Sequence, residues 1–198
     1  MKKITIRLLF VFTLTLLITN SSTAQKSSFN AGIVAGLNFS QLEGKEITDY
    51  YGLNVGVIVI AKLSNQTQLG MELLFSQNGE YIMPEYYPEL QYGKVWLNYI
   101  EVPVHFDYLI KKLQKDGLYN WKINLGIAYT RLISYSAEDI NKNDVSDQII
   151  YGDKVAYLFQ VGTTFNFSKH IGLNLKATLP IRFDGLNWTL SARMIYLF

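Results

Sequence analysis

His105 stands two positions before Asp107 and four after Glu101 in the stretch Glu101-Val-Pro-Val-His-Phe-Asp107. In an extended chain, residues two apart share a face, so the imidazole and both carboxylates point the same way. Such a set could in principle hold a metal ion or act as an acid/base pair. One histidine with two carboxylates is a small set for either task, and a hydrogen-bonded network is the expected role. The second histidine, His170, falls in an expected turn. With no cysteine in the chain, disulfides, thiolate metal sites, cysteine nucleophiles and a lipoprotein anchor are all excluded. HExxH, GxSxG and a phosphate-binding glycine loop are also missing. The expectation is therefore no enzyme, no cofactor and no metal.

The elements that must position these residues follow from a period of two. Alternation runs through eight segments, 29–39, 51–61, 67–77, 98–108, 121–129, 154–167, 171–183 and 187–198, all read as strands. One face of each is apolar and free of charge, as in Ile33, Ala35, Leu37 and Phe39, or Leu175, Ala177, Leu179 and Ile181. The other carries Asn, Gln and Thr among eight glycines, Gly32, Gly36, Gly52, Gly56, Gly70, Gly126, Gly162 and Gly172. A soluble barrel or sandwich would put that second face in water and load it with Lys and Glu. Small polar residues instead suit the crowded lumen of a narrow barrel, while aromatics near the ends of the apolar face match interfacial girdles. Segments of about 9–11 residues also suffice to cross a bilayer when tilted. The fold expected is all-β, an eight-stranded antiparallel up-and-down transmembrane β-barrel.

Within that lumen, counting from the strand ends sets Glu72, Lys176 and Arg193 at similar depth, with Glu101 slightly farther out. Buried charges must be paired or they cost several kcal/mol, so these four are expected to form an ion-pair cluster that plugs the barrel. The alternative is an anion-selective ring, with Lys122, Lys154 and Arg182 at other heights. An eight-stranded interior can be filled by side chains, which favours the plug. Pro103 and Pro180 lack the N–H that a closed sheet requires, and each is expected to mark a bulge or local break.

Residues 1–24 read as a signal peptide, with Lys2, Lys3 and Arg7 before an apolar run from Leu8 to Ile18, and Ser22 and Ala24 placing cleavage before Gln25. Residues 25–198 then form the barrel domain. Links tend to alternate in length: of 62–66, 109–120 and 168–170 most are short, whereas 40–50, 78–97 and 130–153 are long, with 184–186 short on that same side. Outer-membrane barrels have long outer loops and short periplasmic turns, so both termini should be periplasmic in the outer membrane of a Gram-negative bacterium. The outer links hold twelve acidic residues (Glu43, Glu46, Asp49, Glu80, Glu85, Glu89, Glu138, Asp139, Asp144, Asp147, Asp153, Asp184) against Lys45, Lys94, Arg131 and Lys142, a balance of −8. The rest of the chain after the leader balances at +7. Acidic loops suit divalent-cation bridging to lipopolysaccharide or a basic partner. The whole-chain charge of +2 gives no nucleic-acid footprint. Phe198, a terminal aromatic on the apolar face, resembles the signal read by the barrel-assembly machinery.

Three stretches, Gly32-Ile-Val-Ala-Gly-Leu-Asn-Phe-Ser40, Glu72-Leu-Leu-Phe-Ser-Gln-Asn-Gly79 and Leu97-Asn-Tyr-Ile-Glu-Val-Pro-Val104, resemble the first, third and fourth strands of the PorT-type outer-membrane β-barrel family. The resemblance implies an outer-membrane barrel, and in one branch an accessory role in type IX secretion. Lipid-modifying barrels need a Ser and a His facing the outer leaflet or outer mouth, and neither histidine stands there. Two functions are expected to compete: a structural or interaction protein of an envelope complex, and a small-solute channel preferring anions.

Overall fold

The structure, a computed structural model, describes residues 29–41, 50–82, 93–112, 120–139, 141–146, 155–181 and 188–198. The expected leader 1–24 and its cleavage point lie outside these residues. So do Glu43, Lys45, Glu46, Asp49, Glu85, Glu89, Asp147, Asp153, Lys154, Arg182 and Asp184, and the side chain of Glu80.

Eight strands follow in chain order: β1 (Phe29–Gln41), β2 (Tyr50–Lys62), β3 (Thr67–Ile82), β4 (Gly93–Lys112), β5 (Asn120–Glu138), β6 (Val155–Asn166), β7 (Ile171–Pro180) and β8 (Trp188–Leu197). Each pairs antiparallel with the next, and β1 closes on β8 from Gly32↔Leu197 to Gln41↔Trp188, giving a closed barrel. No sheet edge remains within the closed ring, so its backbone groups are satisfied strand to strand, as a hydrocarbon environment demands.

The two faces sort as their chemistry requires in lipid. Ile127 and Tyr157 on the outside are 60% and 62% exposed, whereas Glu72 and Arg193 inside are 2% exposed. Aromatic pairs collect at the two ends of the outer face. Phe39–Tyr51 and Tyr129–Tyr157 lie at the upper end, and Phe165–Phe167 and Tyr196–Phe198 at the lower end, where β1 begins and β8 finishes. Two lower turns are closed by serine. Ser64 Oγ accepts from the N–H groups of Gln66 and Thr67, both at 3.1 Å, and Ser168 Oγ accepts from those of His170 and Ile171 at 3.2 and 3.0 Å.

The strands differ from the sequence expectation mainly at the upper end. β3, β4 and β5 run on to Ile82, back to Gly93 and on to Glu138, so much of what reads as loop in 78–97 and 130–153 is sheet. A register shift explains why alternation fades there: Tyr99 pairs with Leu132 but Asn98 pairs with Ser134, leaving Ile133 as an inserted residue. Beyond it the inward positions of β5 change parity, and Ala137 faces Val95 instead of an even-numbered residue. Val95, Leu97, Leu132, Ala137 and Val145 form a small apolar cluster there, against which Tyr99 packs.

Pro103 does break a ladder, but without a bulge. Pairing of β3 with β4 stops after Met71↔Val104 and resumes at Leu74↔Glu101 in unchanged register. Pro180 is the last residue of β7, and Ile181 just beyond it still donates to Tyr157 O at 3.0 Å; residues 182 and 183 of the expected segment lie outside the described residues. Phe198 lies one residue past β8, its N–H donating to Ala31 O at 2.9 Å.

Candidate functional site

The lumen holds a polar layer contributed by seven of the eight strands. At its centre Arg193 on β8 meets Glu72 on β3 through two parallel bonds, NH1 to Oε2 at 2.7 Å and NH2 to Oε1 at 3.0 Å. The remaining donors of the guanidinium turn to amides. Nε and NH2 both donate to Asn174 Oδ1, at 3.0 and 2.7 Å, and NH1 donates to Asn54 Oδ1 at 3.4 Å. Five contacts thus serve the five N–H groups that an arginine carries. The backbone makes space for this: a Cβ on Gly36 of β1 would fall 2.9 Å from Arg193 Cγ.

Lys176 on β7 flanks the pair, donating to Gln160 Oε1 at 3.2 Å and standing 3.8 Å from Glu72 Oε2. On the other side, His105 lies between two carboxylates. Its Nδ1 is 2.6 Å from Asp107 Oδ1, and its Nε2 is 3.3 Å from Glu72 Oε1. The second contact is an electrostatic approach and not an aligned hydrogen bond, because Nε2 has no hydrogen-bond partner. Gly70 sits opposite His105 across the β3–β4 ladder, and any Cβ there would overlap the imidazole. From Asp107 the chain of contacts continues through Asn124, whose Nδ2 donates at 2.8 Å, to Asn174, whose Nδ2 donates to Asn124 Oδ1 at 3.0 Å. Asn174 returns to Arg193, so the contacts form a ring around the lumen wall.

Three of the four residues grouped from the sequence therefore come together: Glu72, Arg193 and Lys176. Glu101 stands farther out, as expected, tied to them only by its longer-range attraction to Lys176. It pairs with Leu74 and so lies two residues, about 6.6 Å along a strand, above Glu72, and it is in neither a hydrogen bond nor an ion pair among the described residues. Lys122 points lower, donating to Gln68 Oε1 at 2.8 Å. Lys154 and Arg182, the other members of the suggested anion ring, are outside the described residues. The amides that complete the layer, Asn54, Asn124, Gln160 and Asn174, were missed by a search for charge, although each occupies a lumen position in the alternation.

The layer divides the lumen. Beneath it a cavity of about 20 Å³ is lined by His105, Gln160 and Lys176, among others; above it a cavity of about 50 Å³ is lined by residues including Glu101 and Thr130. A water needs roughly 10–15 Å³ by this measure, so the lower space takes one and the upper a few. Among the described residues no group of three or more His, Asp or Glu side chains could hold a metal ion.

Asp139, Asn143 and Asp144 build a tight hairpin at the upper end. Asp139 accepts from the N–H and the Nδ2 of Asn143, each at 2.8 Å, while Asp144 accepts from the N–H and hydroxyl of Ser146. Lys142 takes the left-handed conformation with φ of 63°. The bonds from Asn143 hold the Asp139 carboxyl below its ordinary pKa, and those from Ser146 do the same for Asp144.

Comparison with known proteins places this geometry. The crystal structure of Ail, the attachment invasion locus protein of Yersinia pestis, matches with a TM-score of 0.52 at 12% identity, covering 88% of this chain and all of that one. The same protein in complex with the heparin analogue sucrose octasulfate matches at 0.50 and 13% identity, over 87% of this chain and all of that one. Neisserial surface protein A matches at 0.48 and 11% identity, over 87% of this chain and 98% of that one. At such identities the likeness is one of fold. No curated protein matches the sequence. The family described as outer membrane protein beta-barrel domain matches over residues 22–196. With its apolar exterior, closed ring of eight strands and polar lumen, the chain belongs to that family and is an outer-membrane β-barrel of a Gram-negative bacterium.

Proposed function

We propose that this barrel is a non-conducting structural or interaction protein of the outer membrane, with its partner surface on the upper projection of β3, β4 and β5. The observation that carries the reading is the Glu72–Arg193 layer, which crosses the lumen between a cavity of about 20 Å³ below and one of about 50 Å³ above. A hydrated ion cannot pass such spaces without breaking a bidentate, fully donated arginine. The projecting strands end in the acidic hairpin of Glu138, Asp139 and Asp144, which suits lipopolysaccharide bridged by divalent cations or a basic protein face. Service in an envelope or type IX secretion complex is the particular form that the PorT resemblance implies. Phe198 serves as the signal to the barrel-assembly machinery, and no catalysis is assigned, since His105 is committed inside the lumen.

Two measurements test this. Planar-bilayer recording of the folded protein should show no steady conductance. Regular anion-selective openings would overturn the closed-lumen reading in favour of a small-solute channel, with Lys122 and Lys176 the first residues to neutralise. Crosslinking in native outer membranes followed by pull-down should recover a reproducible envelope complex. Recovery of the barrel alone, at every crosslinker length, would overturn the interaction role.

A further inference from the structure

Glu101 is 5% exposed, yet it has neither an ion pair nor a hydrogen bond among the described residues. The other two lumen carboxylates are fully engaged, Glu72 by Arg193 and Lys176, and Asp107 by His105 and Asn124. Lys176 attracts Glu101 electrostatically from below but forms no ion pair or hydrogen bond with it. Directly across the β4–β5 ladder from Glu101 stands Thr130, 4% exposed, whose Oγ1 is buried with no hydrogen-bond partner. Facing them on the same cavity is a second cross-strand pair, Thr178 and Thr189, with Ser191 beside them. No Lys, Arg or His is among the residues lining this cavity.

We infer that the upper cavity is a cation site, in which the Glu101 carboxylate and the Thr130 hydroxyl bind a partly dehydrated hard ion of the sodium or calcium class. The chemistry follows from the wall. Oxygen ligands without nitrogen or sulfur select hard ions over zinc or copper. A buried carboxylate held by no direct bond, only by the longer-range attraction of Lys176, is costly, and a cation bound beside it offsets that cost. At about 50 Å³ the cavity has room for an ion with one or two of its waters, but not for its full hydration shell. Thr178, Thr189 and Ser191 complete the oxygen surround.

The test uses the whole barrel folded in detergent, with thermal unfolding followed in choline chloride, sodium chloride and calcium chloride at matched ionic strength. The unfolding midpoint should rise saturably with sodium or calcium over choline, and whichever salt acts identifies the charge class. Terbium provides a direct probe, because Tyr99 lines the cavity and should sensitise its emission. Both responses should be lost in E101Q, weakened in T130V, and retained when the exposed carboxylates are removed in D139N/D144N. Equal responses in wild type and E101Q would place the ion on the outer loops and overturn the site. Should E101Q fail to fold, T130V carries the comparison, and absence of any saturable response in the wild type overturns the inference without a variant.

Discussion

Substituting Glu72 and Arg193 separately and together tests the central layer quantitatively. Removing one partner of a buried, hydrogen-bonded pair typically costs about 3–5 kcal/mol, because the other charge is left uncompensated. The two single substitutions should not cost the same. In Arg193→Gln, Glu72 still faces Lys176 at 3.8 Å and His105 at 3.3 Å, so part of its compensation survives and the loss should fall near the low end. In Glu72→Gln, Arg193 keeps its bonds to Asn174 and Asn54, but it and Lys176 lose the carboxylate that both address, and the loss should fall near the high end. The double substitution removes both charges, and should cost less than the sum of the singles by about 2 kcal/mol, within the range seen for groups in direct contact. Urea unfolding in lipid vesicles, followed by tryptophan fluorescence, measures all four corners of the cycle. Losses that add to within about 0.5 kcal/mol would mean that the side chains do not meet, and would refute the register that brings β3 opposite β8 in the lumen.

Three further outcomes are expected. Gly70→Val should force the His105 ring away from Asp107 and Glu72, at a cost of about 1–3 kcal/mol for overpacking; pairing it with His105→Ala in the same unfolding assay should recover part of the loss. Phe198→Asp should lower the fraction of heat-modifiable, folded barrel on unboiled gels more than shortening the exposed turn at 139–143 does, since Phe198 is an outward aromatic packed edge-on to Tyr196 at 5.9 Å. Asp139 and Asp144 both titrate below the ordinary 3.8, so the charged carboxyls stabilise the hairpin above that value and the contribution disappears as pH falls through their lowered pKa values. Amide exchange at Asn143 should therefore stay slow near neutral pH, after correction for intrinsic rates, and lose its protection below about pH 4; protection that persists at pH 2 would refute this.

The two faces of the sheet were legible because one surface admits no charge and the other mixes glycines, amides and hydroxyls, a contrast that survives even the parity switch between β3 and β4. Strand length was less legible. The residue inserted at Ile133 reverses the inward parity of β5, so Tyr135 and Ala137 read as out of phase with Leu132 although they continue one strand. The outer sheet also gains its stability from Val95 and Leu97 packing on Ala137 and Val145, contacts far apart in sequence. In the lumen, charge identified the centre of the network but not its extent. Asn54, Asn124 and Asn174 accept or relay bonds that no charge count reveals, and their role emerges only when the register sets them beside Arg193. The count from the strand ends already sets Glu101 slightly farther out than Glu72, and antiparallel pairing with Leu74 fixes the difference at one inward position. What the count does not reveal is that this step is enough to put its carboxylate beside the cavity above.

That separation bears on how a barrel of this kind is stabilised. In a soluble protein, apolar side chains leave water on folding, and most of the favourable free energy comes from that burial. Here the apolar face is solvated by lipid before and after the strands assemble, so moving Ile127 or Tyr157 from lipid to lipid contributes little. The ladder and the lumen must supply the specificity. A polar lumen does this only if its donors and acceptors are nearly all satisfied, because an unpaired buried group costs more than a paired one returns. Arg193 satisfies the condition with five contacts to three side chains, Asn54 on β2, Glu72 on β3 and Asn174 on β7. Among the described residues the fully buried side-chain N and O atoms that do not satisfy it are Thr130 Oγ1 above and Gln160 Nε2 and His105 Nε2 below, and all three residues border the two cavities. These exceptions face spaces with room for a water or an ion, while Glu72, Arg193 and Asn174 between them are closed by direct bonds.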